Sequence, residues 1–76
     1  MNNKRRKMLD EISGLLSEAY AKLEEVTEEE TECFDNIPEN LQNSERYDRA
    51  ADVVELLESA YSDLEDVINA IDEARE

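Results

Sequence analysis

The chain has no histidine or tryptophan, a single cysteine, glycine and proline, and eight Lys and Arg against 22 Asp and Glu. Each scarcity removes a class of chemistry. Without histidine no imidazole can act as a base near neutral pH or complete a zinc set, and the lone thiol of Cys33 has no base to activate it. One cysteine cannot staple the chain to itself. With Gly14 as the only glycine, a glycine-rich loop that would cradle phosphate is missing too. The expectation is a protein that is not an enzyme and takes no cofactor and no metal. Long apolar runs are also lacking. Met8-Leu9 is broken at once by Asp10-Glu11, so the start does not read as a secretory leader and an intracellular location is expected.

What is abundant is negative charge. A net −14 over 76 residues opposes unaided binding to nucleic acid or to an anionic membrane. Acidity with few aromatics also marks disordered chains, yet the apolar residues here are periodic, which a disordered tail does not require. A chain of this size forms one small domain whose core supplies only ~3–5 kcal/mol, so a partner or a second copy is expected.

The helical pattern is interrupted in one place. Between Phe34 and Ser44 lies Pro38, which has no backbone N–H and pushes Ile37 out of the helical region. Asn36, Asn40, Asn43 and Ser44 compete there for nearby backbone groups. Asn43 or Ser44 can then cap a second helix, with Glu45 and Asp48 suited to the positive end of its dipole. The spacing predicts an all-α chain: one antiparallel two-helix hairpin, coiled-coil-like, with helices over about 4–34 and 44–75 and a hinge over about 35–43.

On the first helix Leu9, Ile12, Leu16, Ala19, Leu23, Val26, Glu30 and Cys33 alternate by three and four, the a and d positions of heptads. Ala50, Val53, Leu57, Ala60, Leu64, Val67, Ile71 and Ala74 do the same on the second. These columns are expected to form the seam, with Leu16, Leu23, Leu57 and Leu64 at its centre and Cys33 as a small apolar filler. Met8, Leu15, Tyr20 and Phe34 widen the first stripe, and Val54, Tyr61 and Ile68, with Tyr47 one heptad earlier, add a column at e. Two columns suffice for one seam, and a third asks for more cover. Leu15, Tyr20, Val54, Tyr61 and Ile68 are accordingly the expected interface of a homodimer in which two hairpins make a four-helix bundle.

Residues 15–26 and 56–67 share seven of twelve identities at a constant offset of 41. Folding about the hinge therefore gives a hairpin of approximate two-fold symmetry. Pairing levels whose residue numbers sum to about 80 sets Leu23 against Leu57, Ala19 against Ala60, Leu16 against Leu64 and Leu9 against Ile71.

Charge is unevenly placed along this hairpin. Lys4-Arg5-Arg6-Lys7 holds half of the basic residues and opens a helix, where the dipole disfavours it. Asp72, Glu73 and Glu76, brought alongside by the fold, are expected to compensate. Towards the hinge, Glu24, Glu25, Glu28, Glu29, Glu30 and Glu32 repel one another at i,i+4 and crowd the negative dipole end. Arg46 and Arg49 are expected to pair with Glu28 to Glu32, Glu30 included.

The hinge run Phe34-Asp35-Asn36-Ile37-Pro38-Glu39-Asn40-Leu41-Gln42-Asn43-Ser44-Glu45 resembles the linker of a group of small acidic helical-hairpin proteins of bacterial phages and prophages. The resemblance takes in the two flanking acidic helices. This chain has Tyr47 soon after Ser44-Glu45-Arg46, where those proteins often carry glycine. The resemblance implies a mobile-element origin and the cytoplasm of a bacterial host, and it implies no activity.

Two functional readings follow. In the first, a small acidic interaction module binds a basic surface of a host protein, as a nucleic-acid-mimicking inhibitor of a defence or nucleic-acid-processing complex. Its contact residues are the outward Glu24, Glu25, Glu28, Glu29, Glu32, Asp48, Asp52, Glu55 and Asp63. Duplex DNA carries one charge per ~1.7 Å, a density that two such hairpins side by side approach. In the second, the protein serves dimerisation or assembly, and its charge serves solubility.

Overall fold

A computed structural model describes residues 1–76 as two long helices folded back on each other. Helix α1 spans Asn3–Asp35 and helix α2 spans Glu45–Ala74, with one 3-10 turn, Glu39–Leu41, between them. α1 begins a residue earlier than the spacing predicts because Asn2 caps it, its side-chain oxygen accepting the Arg5 N–H at 2.8 Å. The last turn closes when the Asn36 N–H donates to the Glu32 carbonyl at 3.1 Å, and Pro38 prevents further winding. In the hinge the Leu41 N–H donates to the Pro38 carbonyl at 2.9 Å and the Gln42 side chain to the Ile37 carbonyl at 3.3 Å. Ser44 then starts α2. Its Oγ accepts the Tyr47 N–H at 3.1 Å and donates to the Leu41 carbonyl at 2.7 Å, with Glu45 and Asp48 in the first turn.

Two stacked aromatic pairs fix the register. Tyr20 and Tyr61 lie 4.4 Å apart at 17°, and Phe34 and Tyr47 lie 4.9 Å apart at 28°. In both pairs the residue numbers sum to 81, so the helices meet at the level the repeat predicts.

They meet along a different pair of columns, however. The inward residues of α1 run Leu9, Ser13, Leu16, Tyr20, Leu23, Thr27 and Phe34, and those of α2 run Tyr47, Ala50, Val54, Leu57, Tyr61, Leu64, Ile68 and Ile71. The a column is kept, but e takes the place of d. Ile12, Ala19, Val26 and Cys33 are exposed on α1, and Ala60, Val67 and Ala74 on α2. Spacing cannot decide between the two seams, since a/d and a/e both alternate three and four. Bulk decides: the e column holds four aromatic rings with Val54 and Ile68, while d is mostly Ala and Val, and burial stabilises in proportion to apolar area. Turning each helix by roughly 50° about its axis brings the larger set inside.

Two expectations change with that turn. Cys33 is not a seam filler. Tyr20, Val54, Tyr61 and Ile68 belong to the hairpin's own seam and do not await a second hairpin; of that set Leu15 alone points outward, 67% exposed.

The product is a rod of 59 × 14 × 13 Å. Its radius of gyration, 17.4 Å, exceeds the ~11 Å of a compact chain of this length. A single seam leaves little dry interior. Val54 and Ser13 are the only buried residues, and no large side chain is fully enclosed.

Candidate functional site

With a and e turned inward, positions b, c and f face one flank and the back of the hairpin, and they carry most of the carboxylates. All nine expected contact residues are exposed, but they are not gathered into one patch. Glu28 and Glu32 border a shallow hollow beside the hinge with Thr27, Thr31, Asp35 and Glu58. Glu24 joins Glu28 around Thr27 and Tyr61 a turn away. Asp52 and Glu55 lie elsewhere, around Arg49 and Leu56. Glu25 and Asp48 take c and f positions at the back, and Glu29 and Asp63 take g positions. Glu58 and Asp35 are the acidic members of the hinge hollow that the sequence reading did not single out. Asp35 stands two turns from Glu28 on the same helix, and that spacing was the available signal, whereas Glu58 comes from the other helix and had none.

The ion pairs correct two further expectations. Three form: Lys22 with Glu18 at 3.9 Å, Arg75 with Asp10 at 2.8 Å, and Arg75 with Asp72 at 3.2 Å. Arg46 and Arg49 therefore bridge to none of Glu28 to Glu32, and Glu30 is exposed and unpaired rather than on the seam. The same turn of the helices explains this for Glu28, because it carries the d and g positions of Arg46 and Arg49 to the opposite flank; Glu29, a g residue on their own flank, also stays unpaired. Exposed pairs contribute only ~0–1 kcal/mol and cannot pull the helices back.

Lys4 to Lys7 also find no carboxylate. Asp72 is engaged by Ser13, whose Oγ donates to it at 3.0 Å, and by Arg75 Nε, while Arg75 Nη1 reaches Asp10. The hydrogen bond to Asp10 holds the Arg75 pKa above its ordinary value, burial opposes this, and the Asp72 charge adds to it. Arg6 Nε is left buried without a partner. The Ser13–Asp72–Arg75–Asp10 cluster was not anticipated, and the i,i+3 spacing of Asp72 and Arg75 was its only trace in the sequence.

The phenol of Tyr61 is held above its ordinary range by the neighbouring Tyr20 hydroxyl, then by desolvation and the Glu24 charge. It remains a neutral hydroxyl within the stack. No group of three or more His, Cys, Asp or Glu is placed to hold a metal ion, and no helix is long and apolar enough to cross a membrane. Compared with protein-family models, with curated proteins and with solved structures, the chain matches none.

The other flank is largely apolar, although Glu29 and Asp63 share it with Lys22, Arg46 and Arg49. In an antiparallel pair the d and g columns of both helices fall on the same side. Met8, Ile12, Leu15 and Val26 of α1 lie there with Leu56 and Val67 of α2, six of the eight large apolar side chains left exposed.

Proposed function

We propose that the hairpin is a small acidic protein-interaction module that docks its carboxylate flank on a basic surface of another protein and pairs with a second copy into a four-helix bundle. The observation that carries the docking is unpaired charge. Of the 22 acidic residues, only Asp10, Glu18 and Asp72 take part in ion pairs, and none of these lies between Glu24 and Glu55. Self-repulsion there is uncompensated within the chain, and a cationic partner relieves it. A protein whose own ligand is nucleic acid presents such a surface. The likeness of the hinge run to phage and prophage hairpins favours a host defence or nucleic-acid-processing complex in the bacterial cytoplasm as the target, with the hairpin as its inhibitor.

The test substitutes Glu24, Glu25, Glu28 and Glu32 by Gln, checks helicity by circular dichroism, and measures capture of basic proteins from a bacterial extract. The unsubstituted chain should capture its partner in a salt-sensitive way and the fourfold variant at least about tenfold less, because charge-steered association is screened and depends on these groups. Equal capture by the two would overturn the docking reading. The second reading, an assembly protein with no inhibitory role, has its own support in the exposed apolar flank.

A further inference from the structure

We infer that the apolar flank built from the d and g columns is the dimer interface, and that two copies meet on it with their hinges at opposite ends. This rests on the self-association half of the reading above and is independent of the acidic flank. Three observations commit the flank to a second copy of this chain.

The first is extent. From Ile12 to Cys33 the face runs ~32 Å along α1. With two helices side by side it covers on the order of 700 Å², close to the ~800 Å² per partner of a stable interface. A rod with two buried residues has no other means of building a dry core.

The second is self-matching. Ala19 and Ala60, which with the terminal Ala74 are the alanines of the d columns, stand at the midpoints of Asn3–Asp35 and Glu45–Ala74. A two-fold axis across those midpoints sets Ala19 on its own counterpart, Ile12 on the partner's Val26, and Val53 on the partner's Val67. Small residues lie at the crossing and larger ones to either side, so the helices can approach closely.

The third is charge, which selects the orientation. Residues 24–55 contain twelve acidic and two basic side chains, a net of −10, whereas residues 1–12 and 66–76 together contain six acidic and five basic, a net of −1. Hinges at the same end would stack the two most negative regions. Hinges at opposite ends place Arg5 of each copy, the d member of the unpaired basic run, beside the unpaired Glu29 of the other, a g residue on the same flank. Both groups lack cross-hairpin partners in the single hairpin, and the dimer supplies them.

Disulfide trapping tests both face and orientation. In a Cys33→Ser background, Ala19→Cys and Ala60→Cys are prepared separately, checked for helicity, oxidised, and run without reductant. A bridge needs Cα atoms within ~7 Å of each other. With hinges opposed, each variant should cross-link to itself, doubling its mass, and an equal mixture of the two should add no mixed product. Cross-linking only in the mixture would mean that hinges lie together and would overturn the orientation. A dimer by sedimentation in which neither variant cross-links would place the interface on another face. Monomer alone at tens of micromolar for the Cys33→Ser chain would remove the self-association reading itself, leaving the acidic flank to be judged by its own capture experiment.

Discussion

Ser13 shows how much a single small residue decides here. It sits at an e position where every other member of its helix's column but Arg6 and Thr27 is aromatic, and its hydroxyl donates to Asp72 at 3.0 Å across the seam. Ser13→Ala keeps the fit but leaves Asp72 with Arg75 alone, so a loss of about 1 kcal/mol is expected. That corresponds to a melting temperature lower by ~4–8 °C; an unchanged melting curve would mean that the hydrogen bond contributes nothing in solution. Tyr61 makes a second prediction at this scale. Its phenol pKa is raised on folding, so the folded state keeps a proton that the unfolded chain begins to release near pH ~10. The contribution is therefore complete at neutral pH and falls as alkali is added. Absorbance at tyrosinate wavelengths should show Tyr61 ionising only above the ordinary phenol range, together with loss of helix. Of these residue-level features, the cap at Ser44 was legible in the sequence because capping is local. The Ser13–Asp72 contact was not, since nothing in a serine's neighbours announces a carboxylate 59 residues away.

For the helices the decisive quantity is rotation about the axis. Hinge, boundaries and register all follow from turn chemistry and from the repeat at offset 41, and each is seen within a residue or two. The face was not legible, because a column of Ile12, Ala19, Val26 and Cys33 and a column of Ser13, Tyr20, Thr27 and Phe34 have the same heptad spacing. Only a comparison of cross-seam bulk, Tyr20 on Tyr61 and Phe34 on Tyr47, separates them. Leu57, in the a column shared by both seams, is half-buried. Leu57→Ala should cost about 2 kcal/mol, the low end for a core leucine, while the exposed Glu55→Ala should stay within about 0.5 kcal/mol. Paired thermal melts check this, and equal effects of the two substitutions would mean that the helix faces are wrongly assigned.

As a whole molecule the hairpin is two-sided: carboxylates on one flank and the back, and an unpartnered apolar strip on the other flank. The sequence shows both ingredients but not their separation, which arises only when antiparallel packing brings equivalent columns of α1 and α2 to one side. The two flanks answer to salt in opposite ways. Docking on a basic protein is electrostatic and weakens as ions screen it, with a Debye length of ~8 Å at physiological ionic strength. Pairing of two copies that each carry −14 is driven by apolar contact and opposed by net repulsion, so screening should leave it as strong or stronger. Sedimentation equilibrium of the full chain at tens of micromolar, from low to high salt, tests this most directly. A particle of twice 8.8 kDa that persists or tightens as salt rises is the expected result. A fully helical particle of single-copy mass at every salt, or a dimer that falls apart when salt is added, would contradict it.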